Sequence, residues 1–188
     1  MKYGQLTLGQ NEAILNKVVR ACGGGEDSLG KVLSGVIQLT AKVVSYIITT
    51  YHLWVDGPSI SDLPKAGGYD WTNPLITEWN FPTTEYDMVE EKETALFHFN
   101  RTISSEDAIA GMRAEGYRPA TMRELLTFGK ENPEVQRKFP IVALGQVVRL
   151  DGARHVGYLD RDGSGRCARL HYFDDGWSGD CRFLAVCN

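Results

Sequence analysis

Several features common in proteins are scarce along the 188 residues of this chain. Positive charge is not in excess, because 20 Lys and Arg stand against 24 Asp and Glu and give a formal net charge of −4. A nucleic-acid binder normally carries a basic patch, so no nucleic-acid partner is expected. The most apolar stretch, 32–55, is interrupted by polar residues such as Lys42 and His52, so no membrane span is predicted.

Cysteine is also scarce, with only Cys22, Cys167, Cys181 and Cys187 in the chain. They form no Cys-x-x-Cys pair and have no histidine at zinc spacing, so no metal and no cofactor are predicted. The last three are compatible with one disulfide or with free thiols, the usual state in a reducing compartment. The first residues lack an apolar signal segment, which predicts a cytoplasmic protein, while export by another route stays open.

Residues 1–36 are predicted to form a small helical module. Apolar residues recur at helical spacing over 8–22, three glycines end that helix, and 29–36 has the pattern of a second helix. Two short helices around a glycine turn are also the pattern of a DNA-binding helix-turn-helix, but Lys31 is the single base of the second helix. The remaining residues, 37–188, are predicted to form one domain.

Strict alternation predicts a strand over 94–103. Phe97 and Phe99 are expected on its buried side, while Leu96 and His98 fall on the opposite, polar side. His98 is therefore interpreted as a solvated histidine rather than a ligand or a base.

Two helices are predicted to follow this strand, because Ser104 with Asp107 and Thr121 with Glu124 have the spacing of a capping box. The region 59–86 is a long connection whose aromatic residues are expected to pack it. Beyond the helices come short β-rich runs joined by Gly- and Asp-rich turns, at 139–144, 147–150, 156–159, 168–173 and 183–186. Helices and strands do not alternate, so the predicted fold class is α+β rather than doubly wound.

The last 42 residues, 147–188, contain no Lys, Glu, Gln or Met. Their twelve charged residues are six Asp and six Arg, whereas residues 1–146 hold eight Lys and twelve Glu. The four missing types all need a purine at the third codon position, and Trp177 is the single residue of the segment with the same requirement. The composition is thus typical of codons ending in C or T. The alternative is a turn-rich β segment that disfavours Lys and Glu.

Two kinds of position interleave in this segment. Between the apolar positions lie short or planar polar side chains of Tyr, Asp, Ser, Arg and His, which are typical of adaptable binding surfaces. The apolar positions, expected in the core, are Leu159, Leu170, Phe173, Trp177, Phe183, Leu184 and Val186.

Four runs together resemble a known family: the strand 95–99, the helix after Ser105, Gly116-Tyr117-Arg118-Pro119-Ala120-Thr121, and the closing Cys181-Arg182-Phe183-Leu184-Ala185-Val186. They are similar to the C-type lectin-like fold, in the branch shared with formylglycine-generating enzymes. More specifically, they resemble the variable proteins of diversity-generating retroelements of candidate-phyla bacteria. The resemblance covers 94–188 well and 44–93 loosely, and it implies two helices packed on short, mostly antiparallel strands.

In that family a reverse transcriptase copies a template repeat with errors at adenines, and the copies replace the 3′ end of the target gene. The resemblance implies a non-catalytic protein that binds an unknown ligand, a protein or a cell-surface molecule, through a variable segment within 147–188. The fixed positions would be Leu159, Leu170, Phe173, Trp177, Arg182 and Phe183. The diversified contact positions would be Tyr158, Asp160, Asp162, Arg169, His171, Tyr172, Asp174, Asp175, Ser178 and Asp180.

The alternative is a fixed-site enzyme or metal-dependent carbohydrate binder on the same fold. The run 160–165 imitates the start of an EF-hand loop, but its twelfth position is His171 instead of Glu. Cys167 and His171 share one strand face, as a nucleophile and its base would, without a third orienting group. Asp174 and Asp175 fit either acid–base chemistry or a solvated turn.

Overall fold

The structure, a computed structural model, describes residues 46–55, 59–87, 90–163 and 165–187, so the helices predicted within 1–36 lie outside the described residues. Among the described residues no helix is both long and apolar enough to cross a membrane. Their helices are α1 (Leu63–Ala66), α2 (Ser105–Ala114) and α3 (Met122–Glu131), with a 3₁₀ turn at Glu85–Asp87. Their strands are β1 (Ile47–Val55), β2 (Trp71–Thr72), β3 (Glu90–His98), β4 (Tyr117–Pro119), β5 (Ile141–Leu150), β6 (Ala153–Asp162), β7 (Gly165–Tyr172) and β8 (Arg182–Cys187).

One eight-stranded sheet joins all the described strands, in the order β1-β3-β8-β5-β6-β7-β2, with β4 beside β8. Pairing is antiparallel except between β5 and β8 and between β2 and β7. The fold is therefore mixed α and β. Its single eight-stranded sheet is larger than the set of short strands predicted from the sequence. The predicted runs 139–144 and 147–150 are one strand, β5, which turns into β6 through Asp151 and Gly152. Both residues have positive φ, +50° and +83°, as a tight two-residue hairpin turn requires.

Both faces of the sheet are covered, which corrects one prediction. Phe97 and Phe99 are buried in a cluster with α2, as expected. Leu96, predicted on the polar side of the strand, is only 2% exposed and packs in a second cluster with Leu125 and Phe128 of α3. The alternation along β3 thus separates two cores rather than a core from solvent.

Both long helices begin where the sequence predicts. The Ser104 hydroxyl oxygen accepts a hydrogen bond from the Asp107 amide at 3.1 Å. Thr121 and Glu124 form the complete capping box, with the Thr121 Oγ1 accepting from the Glu124 amide and the Glu124 carboxylate accepting from the Thr121 amide at 2.8 Å. These caps satisfy amide groups that would otherwise lack a partner at the first turn.

The long connection 59–87 is held to the sheet by Arg166, a buried residue of β7. Its guanidinium donates to the Gly67 carbonyl at 2.5 Å and to the Gln136 side chain, and it stacks on the Tyr69 ring at 4.6 Å. The connection therefore packs partly as predicted, although Trp79 is 91% exposed. The anchorage fixes β2, and with it Trp71, at the edge of the sheet.

Candidate functional site

The β6–β7 hairpin sorts its side chains onto two faces. Residues directly opposite each other in an antiparallel pair point to the same side of the sheet. The register pairs Tyr158 with Arg169 and Val156 with His171. Val156 and Tyr158 pack in the cluster that contains Trp177, so we call this side of the hairpin the Trp177 face.

None of the ten residues predicted to contact a ligand is buried. Most of the residues predicted to be fixed lie in the core, Leu170 and Arg182 being half-buried. The segment thus combines a packed scaffold with accessible polar side chains. The exposed members of the ten are Asp162, Tyr172, Asp174, Asp175, Ser178 and Asp180, and the half-buried ones are Tyr158, Asp160, Arg169 and His171.

Arg169 forms the centre of an ionic cluster on the Trp177 face. Its Nε donates to Asp160 at 3.0 Å and its Nη2 donates to Asp162 at 3.1 Å. Partial burial raises the pKa of Asp160 above its ordinary value, and the Arg169 guanidinium opposes that shift. Three of the predicted contact residues are therefore joined in one unit, with two carboxylates on one cation.

Trp71 belongs to the same cluster, although no sequence pattern pointed to it. β2 pairs in parallel with β7 and sets Trp71 beside Cys167, on the Trp177 face. The Arg169 guanidinium carbon lies 4.9 Å from the centre of the indole ring, a cation–π arrangement. Trp71 is still 44% exposed, so part of the ring is open to solvent.

Three aromatic rings form the middle of the Trp177 face. The His171 ring meets Trp177 edge-on at 5.0 Å, and the Tyr158 ring meets both at 6.0 to 6.3 Å. Burial raises the pKa of the Tyr158 hydroxyl above that of a free phenol. Tyr158 and His171 thus offer rigid, partly accessible rings over a buried indole.

Trp177 is held in place by its burial and by a hydrogen bond to α2. It is 4% exposed, and its Nε1 donates to the Ser105 hydroxyl at 2.9 Å. That hydroxyl in turn donates to the Phe173 carbonyl at 2.6 Å, which ties the loop after β7 to the first turn of α2. The prediction that Trp177 and Phe173 belong to the core is confirmed.

Asp174 is ion-paired rather than merely solvated. Arg154 of β6 donates to both Asp174 carboxylate oxygens and lies 3.4 Å from Glu106 of α2. The same guanidinium stacks on the Phe173 ring at 4.4 Å. The hydrogen bond from Arg154 lowers the pKa of Asp174 below its ordinary value. Arg154 therefore links the loop, the sheet and α2, a role that the sequence did not reveal.

Two further predicted contact residues, Asp175 and Ser178, belong to the loop after β7. Asp175 approaches His171 at 3.7 Å, and the Ser178 hydroxyl is 3.6 Å from the Cys181 sulfur. His98, interpreted from sequence as solvated, is half-buried instead, with its Nε2 2.9 Å from the Gly179 carbonyl oxygen.

Tyr172 is separated from the other strand residues of the set. It pairs with His155 in register and therefore lies on the side of the hairpin opposite His171. Its ring is 4.5 Å from that of His155, and both line a cleft of about 270 Å³ together with Leu75 and Leu170. The predicted contact residues thus occupy two faces of the sheet rather than one.

The residues considered above for a calcium, catalytic or metal site are placed as follows in the fold. Of the run 160–165, residues 160–162 end β6 and Gly165 begins β7, and Gly163 has a φ of +57°. Cys167, Cys181 and Cys187 are all thiols rather than disulfides, the first two being buried. Over the described ranges no three His, Cys, Asp or Glu side chains are grouped so as to hold a metal ion.

Comparisons with family models, with curated proteins and with solved structures found no match for this chain. The candidate site is a β-hairpin and a following loop that present Tyr, Asp, Arg and His side chains above a packed aromatic core.

Proposed function

We propose that this chain is a non-catalytic ligand-binding protein, a variable protein of a diversity-generating retroelement on a C-type lectin-like scaffold. One observation carries the proposal. The segment that lacks Lys, Glu, Gln and Met is also the segment in which ten polar side chains stand outside the core, between buried apolar neighbours. Mutagenesis of codons ending in C or T at these accessible positions would change the surface and leave the buried scaffold folded.

The architecture is compatible with that scaffold. Two ten-residue helices, α2 and α3, pack on a mostly antiparallel sheet, and their cores lie on its opposite faces. The closing strand β8 lies between β3 and β5 at the centre of the sheet. Because β8 is paired on both sides, it can stay constant while the β6–β7 hairpin and the loop after β7 vary.

The proposed mechanism is recognition without chemistry. Tyr158 and His171 offer rigid rings that lose little conformational entropy on binding, while the aspartates and Ser178 offer adaptable hydrogen bonds. The ligand class is a protein or a cell-surface molecule. Because the contact residues would differ between copies of the gene, affinity would be a property of each copy rather than of the fold.

The direct test is the nucleotide sequence of the source locus. The last codons of the gene, those for 147–188, are read, and the nearby DNA is searched for a near-copy. We expect a near-copy beside a reverse transcriptase gene, differing from the gene only where the near-copy carries adenine. Those differences should fall in the codons of the ten contact residues and spare those of Leu159, Phe173 and Phe183.

Two results would overturn the proposal. The first is a locus without any near-copy or reverse transcriptase gene. The second is a near-copy whose differences fall evenly on buried and accessible positions. In either case the compositional gap would reflect the demands of a turn-rich β segment, and a fixed ligand would be sought instead.

A further inference from the structure

The arrangement around Arg169 has the form of a cation bound in a site. One face of the guanidinium lies on the Trp71 ring at 4.9 Å, and its edge donates to Asp160 and Asp162 at 3.0 and 3.1 Å. An aromatic ring together with carboxylates is the usual means of holding an organic cation. Here the cation comes from the protein's own chain.

The walls of this arrangement are fixed independently of Arg169. Trp71 is held by the pairing of β2 with β7, where the Asp70 amide donates to the Arg166 carbonyl at 2.9 Å. The two carboxylates belong to β6, and the hairpin register continues to its end at Asp162 and Gly165. Removing the side chain of Arg169 would therefore leave in position the backbone that carries the ring and both carboxylates.

Space for a ligand already exists beside the guanidinium. A cleft of about 300 Å³ opens at the sheet edge, lined by Asp70, Trp71, Asp162, Gly165, Cys167 and Arg169. The side chain of Asp162 is 77% exposed in its ion pair, so a ligand can approach it from solvent.

We infer that Trp71, Asp160 and Asp162 form a binding slot for a guanidinium or similar organic cation, which Arg169 fills from within. The residue at position 169 thereby determines which ligands the face accepts. With Arg169 the slot is closed to cations. With a small uncharged residue it is open to the arginine side chain of a protein partner.

The biological use of this slot rests on the proposed function, because only a diversified gene would exchange residue 169. Ser, Asn and Gly are all encoded by codons ending in C or T, so copies with an open slot would arise by the proposed mutagenesis. Trp71 lies outside 147–188 and would be constant in all of them. One fixed ring would then serve many variable surfaces.

The test compares the full chain with its Arg169→Ser variant. The probe is Nα-acetyl-L-arginine amide, and Nα-acetyl-L-citrulline amide, which has nearly the same shape but no charge, is the control ligand. Binding is measured by NMR titration or calorimetry. We expect Arg169→Ser to bind the arginine probe at least ~10-fold more tightly than the unmodified chain, and not to bind citrulline comparably.

Two further variants separate the slot from overall charge. Arg161→Ser removes the same charge from the other side of β6, because Arg161 pairs with Arg166 in register, and it should leave binding unchanged. Asp162→Asn added to Arg169→Ser should abolish most of the gain. Equal binding by Arg169→Ser and Arg161→Ser, or a gain that survives Asp162→Asn, would overturn the inference.

A measurement on the unmodified chain covers the case in which Arg169→Ser does not fold. The Arg169 Nε proton should exchange with water more slowly than that of Arg161, because it is donated to Asp160, and Asp160→Ala should remove most of the difference. Equal exchange rates would contradict an occupied slot. If these experiments fail but the gene has a template repeat, the slot inference is wrong and the proposed function stands. If the locus has no repeat, the proposed function is wrong, but binding to the slot can still be measured.

Discussion

At the scale of single residues, the clearest contrast is between Trp177 and Tyr172. Trp177 is 4% exposed, packs edge-on against Phe183 at 6.1 Å and donates to Ser105. Trp177→Ala would leave a cavity and remove the indole donor to the Ser105 hydroxyl, and we expect a loss of about 3–5 kcal/mol in the free energy of unfolding. Tyr172→Ala, at a half-exposed side chain, should cost well under about 1 kcal/mol. Urea denaturation of both variants measures the difference, and equal losses would contradict the division into scaffold and contact positions.

The cysteines give a second prediction at this scale. Cys187 is exposed, whereas Cys167 and Cys181 are buried, and burial raises the pKa of Cys181. Alkylation requires the thiolate, so a raised pKa and poor access both slow it. Brief treatment with iodoacetamide at pH 8, followed by peptide mass mapping, should modify Cys187 and leave Cys167 and Cys181 intact until denaturant is added. Modification of Cys181 as fast as Cys187 in the folded protein would count against this packing.

Some of the site could have been placed from the sequence and some could not. His171 and Tyr172 are neighbours on a predicted strand, so the two-residue period already puts them on opposite faces. Trp71 could not be assigned to Arg169, because the contact depends on a short parallel pairing between distant parts of the chain. Arg154 is similar, since its bond to Asp174 requires the register of β6 and its stacking requires the loop after β7.

At the scale of elements, local signals located the helix starts, whereas no local signal specifies how the strands are ordered. The helix starts at Ser104 and Thr121 follow from hydrogen bonds within one turn, which the sequence spacing specifies. The sheet order depends on contacts between remote strands, and no local pattern encodes it. Leu96 shows the consequence. Alternation alone predicts one buried and one solvent-exposed side of β3, whereas one core cluster packs against each side.

The start of α3 gives the prediction at this scale. Glu124 is fully buried, accepts two hydrogen bonds from Arg118 at 2.6 and 2.9 Å, and lies 3.4 Å from Lys92. Glu124→Gln keeps the shape but removes the carboxylate that both cations face. Because a broken buried ion pair leaves charge without compensation, we expect a loss of about 3–5 kcal/mol in the free energy of unfolding.

The matched control for this variant is Glu134→Gln. Its carboxylate is 76% exposed and 3.6 Å from Arg137, so the same chemical change should cost less than about 1 kcal/mol. Urea denaturation monitored by circular dichroism compares the two. A Glu124→Gln variant as stable as Glu134→Gln would mean that the capping box and the ion pairs contribute little to the anchoring of α3.

At the scale of the whole molecule, the proposed function requires that many surface changes be tolerated at once. The exposed contact residues lie on both faces of the hairpin and along the loop after β7, and their described partners are mostly different side chains. Substitutions at separate sites without shared partners change stability almost additively. A chain that combines several of them therefore tests the scaffold more severely than any single variant.

The corresponding prediction uses five substitutions together: Asp162→Asn, Tyr172→Ser, Asp175→Asn, Ser178→Asn and Asp180→Asn. Exposed positions each change stability by about 0.5 kcal/mol or less, so the combined loss of the five should stay below about 2.5 kcal/mol. Phe183→Ala, at a buried ring that meets Phe99 and Trp177, should alone cost about 3–5 kcal/mol. Urea denaturation ranks the two variants. If the five exposed changes destabilised the chain more than the single core change, the segment could not vary without unfolding, and a diversified surface would be physically untenable whatever the locus contains.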